Sequence, residues 1–567
     1  MDIKEICHRP QLELVEHNGR YLMPKVSYSL SRDQQTIVYE WLRTLKLPDG
    51  FSSNISNCVD STCSKLCGMK SHDCHIFMQC LLPSAFIVLP KSHWKALVEL
   101  SRFFRDLCST SLRVDTLNEM NTSIVLILCK LERIFPPTMF DCMEHLPVHL
   151  ANEARLGGPV QYRWMYPFER FINHLKSKMK NKRYVEGSIC DAYLVEETTH
   201  FASFYFEDNV QSRRTQIGRN LNDGGIDTSL PTTLSVFNRP GRPIGAKGQR
   251  YLNTKERFAA HQYILLNCEE VQPILRLYET GLRQYNPGVT DEDIDNEVEK
   301  NFASWFRDYV YNPGNNICNQ SLIDLACGPL LQATTYNGYV VNGFKFQTEE
   351  QCVRKSTNNF GVSIKGTSLS HDESFFFGTL KEVVEIEYPN IPLKIVVLFN
   401  CEWFDPTPNI GTKLDFDSGL VEVYCRRRYR KYDPFIIAQN ACQVCYIPYP
   451  RCIREKLNWW IVLKVRPRGT IDSAYKHIES YQHDGIPMPT YGVGVVQEGG
   501  DDLLHNPLVL TEVEVNPIGS TQGLDGHYEI EDESEESEQD DEVVYEDSEN
   551  DDEENVDEFN RDCEEDD

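Results

Sequence analysis

Several groups of residues have types and spacing that could do chemistry. Asp141, His145 and His149 stand four residues apart, so on a helix they share one face, and two imidazoles at that spacing can chelate a metal. A catalytic zinc centre would also need a third ligand and a base. No His-Glu-x-x-His string is present and Pro147 falls between the two histidines, so they read as structural. Cys63, Cys67, His72 and His75 have the spacing C-x3-C-x4-H-x2-H, which matches no common zinc module. Cys442 and Cys445 form C-x2-C with Cys452 nearby but no matching second pair, and read as packing residues. No metal site is expected from these groups.

Basic strings are the other candidates. Lys176, Lys178, Lys180, Lys182 and Arg183 crowd the segment HLKSKMKNKR, where they could meet DNA phosphates or act in nuclear import. Arg426, Arg427 and Arg428 lead into Tyr429, Arg430 and Lys431, a mix of cations with an aromatic that suits phosphate contact or partner binding. The plainer reading of that string is a solvated rim of a sheet. Arg239-Pro240-Gly241-Arg242-Pro243 resembles the core of a minor-groove hook and is equally a good turn. No Walker loop, nucleophile elbow or Gly-rich phosphate loop is found.

The elements that would carry these residues change character along the chain. Residues 1–30 look irregular. From 31 to 208 the period is helical: Ser31 is placed to cap a helix with Ile37, Val38, Trp41, Leu42 and Leu45 on one face, and Ser92 a second. Further helices are expected over about 116–134, 138–156 with a bend at Pro147, 167–182 and 187–206. Residues 209–254 read as a linker rich in Gly, Pro, Ser and Arg. A helical connector spans 255–332. From 333 to 470 the period becomes two, in strings such as TTYNGYVVNGFKF and WWIVLKVRP, which predicts a small antiparallel β-barrel-like domain. Residues 471–528 look irregular. The fold class expected is α+β multidomain.

Charge separates the end of the chain from the rest. The 567 residues carry a net charge of −28, from 85 acids against 57 bases. Residues 529–567 hold 24 acids and one Arg, hence −23, which leaves 61 acids and 56 bases, or −5, for everything before. The folded part is thus nearly neutral, and residues 529–567 are expected to be a disordered acidic tail. Hydrophobic residues at 41% and aromatics at 11% are ample for a core elsewhere. No apolar run of about 18 residues occurs, so no membrane partner is expected. The start MDIKEICHRPQLEL lacks a signal-peptide core, and the 20 cysteines read as free thiols of a reducing compartment.

Many strings resemble plant CACTA (En/Spm-like) transposon transposases. They include LPDGFSSNIS (47–56), GMKSHDCHIFMQCLLP (68–83), LGGPVQYRWMYPFERFINHLK (156–176), SVFNRPGRPIG (235–245) and AHQYILLNCEEVQPIL (260–275). FASWFRDYV (302–310), FFFGTLKEVVEIEY (375–388) and the run from 420 to 469 look like the domain that follows in those proteins. The resemblance covers roughly 20–470, the C-terminal region of such a transposase. It implies an RNase H-like ancestry, in which three carboxylates hold two divalent metals, Mg²⁺ for example. It also implies Glu169 as the descendant of the third acid, with Asp73 and His75 in a supporting motif. Glu153 is a weaker rival. As a plain residue, Glu169 would simply complement a helix N-terminus.

The family's first two aspartates lie upstream of this region, so a complete centre, strand cleavage and a cofactor are not expected of the chain as it stands. The reading is a transposon-derived nuclear protein that binds DNA or a transposase complex. One alternative is a piece of an active DDE-type transposase. Another is a module for chromatin proteins, with the acidic tail engaging histones.

Overall fold

The computed structural model describes residues 15–17, 19–22, 26–51, 55–60, 65–207, 210, 234–238, 240–367, 373–390, 394–451, 453–468 and 480–481. Cys63, Arg239, Cys452, most of 209–233 and the acidic tail lie outside them. All described residues belong to one unit, Met1–Val496.

A short hairpin, β1 (Val15–His17) and β2 (Arg20–Leu22), comes first. Ser31 then opens α1 (Arg32–Thr44) with a reciprocal cap: the Gln34 N–H donates to Ser31 Oγ at 3.2 Å, and the Ser31 N–H to Gln34 Oε1 at 2.9 Å. Two donors that a helix start leaves open are thereby satisfied. α2 (Ser71–Ile76) passes through a π-helical turn, Phe77–Leu81, into α3 (Leu82–Ala85). α4 (Lys91–Leu107) follows from Pro90, not from the Ser92 cap expected, and α5 (Val114–Ile134) comes next. The helix expected over 138–156 is two: α6 (Cys142–His145) and α7 (Pro147–Gly157). Pro147 starts the second rather than bending one long helix, since its missing N–H costs nothing at a first position. Phe103 and Leu107 of α4 bury against Leu117, Ile124 and Ile127 of α5 and Ala151 and Ala154 of α7. Two more helices, α8 (Tyr166–Ser177) and α9 (Val185–Ser203), complete the run.

The second half is a sheet with helices against it. β3 (Arg242–Tyr251) comes before α10 (Thr254–Leu266), α11 (Gln272–Tyr285), α12 (Asp291–Tyr311) and α13 (Gln320–Ala326). β4 (Gln332–Val341) and β5 (Phe344–Gln347) form a hairpin through Asn342 and Gly343, at φ 50° and 75°. Both central residues of that turn need positive φ, which Asn-Gly supplies at least cost. After α14 (Glu349–Val353) come β6 (Gly361–Thr367), β7 (Glu373–Tyr388), β8 (Lys394–Trp403), β9 (Thr412–Asp415), β10 (Leu420–Tyr424), β11 (Phe435–Ile437), β12 (Cys442–Pro448), β13 (Trp459–Lys464) and β14 (Ser480–Tyr481).

The fold is α+β, helical first and then sheet. The sheet is antiparallel apart from β14 alongside β6, and its main path runs β11-β8-β7-β6-β12-β13-β10-β9. That path ends at β11 and β9, so the expected barrel does not close. β7 is long enough to serve two neighbourhoods: its first half pairs with β6, its second with β8 and β4, and the register shifts between Leu380 and Glu382. A bulge there bends the strand and turns the sheet without closing it.

Besides β14, which lies in the stretch expected as irregular, two segments join or cover this sheet from outside the expected β-rich domain. β3, inside the stretch expected as linker, pairs with β4 over most of its length. Its sequence RPIGAKGQRY has no clean alternation, and an available strand edge decides its conformation. The stripe of α1, with Val38, Trp41 and Leu42, packs with Leu81 and Ala85 onto Cys445, Ile447, Ile461 and Leu463 of β12 and β13. Trp41 Nε1 donates to the Pro448 carbonyl at 2.7 Å.

Two buried carboxylates in this region, Asp324 and Glu422, are paired. Lys394 Nζ lies 2.6 Å from Asp324, which also accepts from Gln320 and Asn390. Burial pushes the Asp324 carboxyl up, but those hydrogen bonds outweigh it and the net shift is downward. Glu422, fully buried, accepts from Tyr449 at 2.6 Å and faces Lys413 and Lys456.

Candidate functional site

Glu169 sits in the first turn of α8, its N–H donating to the Met165 carbonyl at 2.9 Å, and its side chain is exposed. With Met165, Phe168 and Ile172 it lines a shallow apolar depression. Among the described residues, no second carboxylate lines that depression. Nor, among them, are three His, Cys, Asp or Glu side chains grouped so that they could hold a metal ion. The described residues around Glu169 therefore do not supply the converging oxygen ligands that a two-metal centre needs.

Asp73 is fully buried and accepts the Lys70 N–H at 3.1 Å, closing the start of α2. A carboxylate enclosed in that way is not presented to a phosphate. His75 is half-buried, and burial lowers its pKa. Its ring lies 5.4 Å from that of Trp164, and Gln79 Nε2 is 3.5 Å from its Nδ1. The SHDCH string and the chain entering the Glu169 helix are thus neighbours in space, though far apart in sequence.

The helix expected over 167–182 does not run through the lysine segment. α8 stops at Ser177, and Lys178 to Tyr184 form the connection to α9. Lys178 is held: it pairs with Glu196 of α9, as does His174 at 3.2 Å, and its Nζ lies 4.9 Å from the Tyr193 ring centroid. These two partners draw the Glu196 carboxyl down to about 2 through hydrogen bonds. Lys176, Lys180, Lys182 and Arg183 are exposed. The result is a short cationic connection rather than charge spread around a helix.

Both flanking helices display apolar residues to solvent: Phe168, Phe171 and Ile172 on α8, and Tyr193, Leu194, Val195 and Phe201 on α9, followed by Phe204 and Tyr205. Periodicity marks α8 as amphipathic and basic but does not reveal this surface. An apolar residue carries no mark of whether another element will cover it.

The other basic strings are built into the sheet. Arg242 opens β3, opposite Val340. Beside it, Gly241 has φ +97°, and a Cβ there would meet the Val340 carbonyl at 2.2 Å and the Tyr339 ring at 2.8 Å. Tyr339 also donates to the Pro240 carbonyl at 3.1 Å. A minor-groove hook needs this segment free and flat against DNA, so the hook reading of Arg242 is corrected: the glycine is required by close packing. Arg426 and Arg427 are exposed at the turn after β10. Arg428 is committed, its Nε 3.1 Å from Glu402 and its guanidinium 4.5 Å from the Phe404 ring centroid.

Asp141 caps α6, its Oδ1 accepting the Met143 N–H at 2.6 Å, and His145 and His149 meet each other, Nε2 to Nε2 at 3.2 Å. Burial pushes both the Cys442 and Cys445 thiols up, the latter to about 12, so neither is a ready thiolate. Cys67 is exposed, and Cys63, which would have to ligate with it, lies outside the described residues.

Among the described residues no helix is long and apolar enough to cross a membrane. Two family models match the chain, each a domain of unknown function: DUF4218 over residues 107–221 and DUF4216 over residues 384–462. The first takes in α5 to α9 with Glu169 and the lysine connection; the second takes in the strands from the latter part of β7 to β13. No curated protein and no solved structure matches. Domains of these two kinds are typical of plant transposase-derived proteins.

Proposed function

We propose that this chain is a CACTA-type, transposon-derived nuclear protein that binds DNA or a transposase complex and does not itself cut strands. The observation that carries the reading is the surface around Glu169. An exposed acid at the start of α8, with no second carboxylate among the described residues that line its depression, shares that helix with a cationic segment at the far end, Lys176 to Arg183, and the helices on either side expose aromatic faces. Cations of that kind bind phosphates without reading sequence, and exposed apolar faces of this extent mark assembly surfaces. The family strings and the two matched domains support the transposon ancestry.

The test is a mobility-shift titration with transposon-end duplex over a range of salt, together with a strand-cleavage assay in Mg²⁺ and Mn²⁺. The expected result is salt-sensitive binding without cleavage. Replacing Lys176, Lys180 and Lys182 by Ala should lower the log–log salt slope by about 1 for each phosphate that is no longer neutralised. Robust cleavage abolished by Glu169→Ala would overturn the reading.

One observation favours the enzymatic alternative. The contact of His75 with Trp164 draws the SHDCH string toward the Glu169 helix. That reading predicts cleavage when a protein carrying the upstream aspartates is added, with loss on Glu169→Ala.

A further inference from the structure

A cavity of about 270 Å³ opens where α10 and α12 meet the chain leading into β11. It is smaller than the roughly 300–1,000 Å³ of sites that take whole small molecules. Its walls are mostly apolar: Phe258, Ala259, Tyr263 and Leu266. Its polar groups are Lys255, Gln262, Glu299, Lys431 and Asp433, with Tyr432 at the rim. Apart from Lys431, none of these residues stands out in the sequence.

The bonding state of those groups shows what the cavity lacks. Gln262 is 5% exposed, and its Nε2 donates to the Val298 carbonyl at 2.9 Å, while its Oε1 is buried with no partner among the described residues. A buried amide oxygen left in that state is destabilising unless something donates to it. The cation nearest Asp433 is Lys431, but Lys431 Nζ is taken by Glu299 at 2.6 Å. Lys255 Nζ lies 3.7 Å from the centroid of the Tyr432 ring, so that aromatic face already holds an ammonium. What remains is a surplus of acceptors: an amide oxygen and a carboxylate. The loop presenting the carboxylate is fixed, since Trp403 Nε1 donates to the Asp433 carbonyl at 2.8 Å and the Cys401 N–H to the Pro434 carbonyl at 2.7 Å, and the amide oxygen is carried by helix α10. Two carboxylates at the opening disfavour a phosphate.

We propose that this cavity receives a basic side chain, an arginine or lysine, of a partner protein. The apolar stem lies along Phe258 and Leu266, as such stems do on apolar surface. The charged head donates to Asp433 and to Gln262 Oε1. The loop needs no ordering on binding, which keeps the entropic cost low.

The experiment is a ligand-observed NMR titration of the full chain with N-acetyl-Gly-Arg-Gly-amide and its lysine counterpart. A citrulline peptide of the same shape but without the charge is the control. The arginine and lysine peptides should bind about tenfold or more tightly than the citrulline peptide, and Asp433→Asn should weaken the arginine peptide by about tenfold. Lys255→Ala, at an exposed position, releases the Tyr432 face and should tighten binding by roughly threefold.

Burial raises the Asp433 carboxyl to about 7. Affinity should therefore rise between about pH 6 and about pH 8 as that carboxyl ionises. The charged groups that face it are Lys431 and Glu299, Lys255, and the Arg250–Glu256 pair near Tyr432.

Equal affinity for arginine and citrulline peptides overturns the proposal, as does unchanged affinity in both variants. If a short DNA duplex binds and is weakened by Lys255→Ala while the arginine peptide does not bind, the cavity belongs to nucleic acid and the proposal falls. Should Asp433→Asn fail to fold, the citrulline comparison and Lys255→Ala decide.

Discussion

The α8–α9 pair and the sheet with its covering helices handle apolar side chains in opposite ways. In the sheet region Phe302, Phe306, Phe346, Phe376 and Phe399 are all fully enclosed. In the helical pair Phe168, Phe171 and Phe201 remain more than half exposed, and the one buried residue of α9 is Ser203. Residue type does not explain the contrast, because phenylalanine dominates both. The difference is the supply of partners: strands offer two faces and edges, whereas α8 and α9 meet at His174 and Glu196 and leave their aromatic side chains largely uncovered. The sheet region therefore carries its stability internally, and the helical pair carries surface that monomeric proteins rarely leave open.

That contrast can be broken or sharpened by substitution. The largest effect is expected at the buried ion pair. Asp324→Ala leaves the Lys394 ammonium enclosed without its carboxylate and should cost about 3–5 kcal/mol in urea unfolding. Phe399→Ala should cost a similar ~3–5 kcal/mol by leaving a cavity in the sheet core.

A pH effect comes next. Burial lowers the His261 pKa to about 4, and its Nδ1 lies 3.1 Å from the Tyr388 hydroxyl. The unfolded chain, near 6.5, then binds the proton first. The neutral-histidine contribution is complete above about 6.5 and is lost as pH falls toward 4. Thermal melts of His261→Gln should show a shallower loss over that window than the unsubstituted chain.

The smallest effect is expected at Phe171→Ala, within about ±0.5 kcal/mol, because little is uncovered. A cost there comparable to that of Phe399→Ala would remove the contrast. A small cost together with loss of complex formation would sharpen it.

The candidate site was legible unevenly. Glu169 was placed at a helix start from Tyr-Pro-Phe-Glu-Arg, and it lies there. Its exposure could not be read, because nothing nearby in sequence says which carboxylates will converge. The lysine run was legible as charge but not as a connection, since helix termination after Ser177 has no Gly or Pro to mark it. The cavity near Asp433 was invisible, its acceptors being drawn from α10, α12 and a loop that are far apart along the chain.

By itself the sequence determined what acts over a few residues: the Ser31 cap, the change from helical to alternating period near 333, the Asn342-Gly343 turn, and the segregation of charge into 529–567. Caps, periods and turns depend on neighbours within a turn or two, so local residue types are enough. Only the tertiary structure decided that α1 would lie on β12 and β13, that an irregular stretch would become β3, and that Lys394 would find Asp324. Those outcomes depend on which distant surfaces and strand edges are left unpaired once local elements form, and no short window of sequence contains that information.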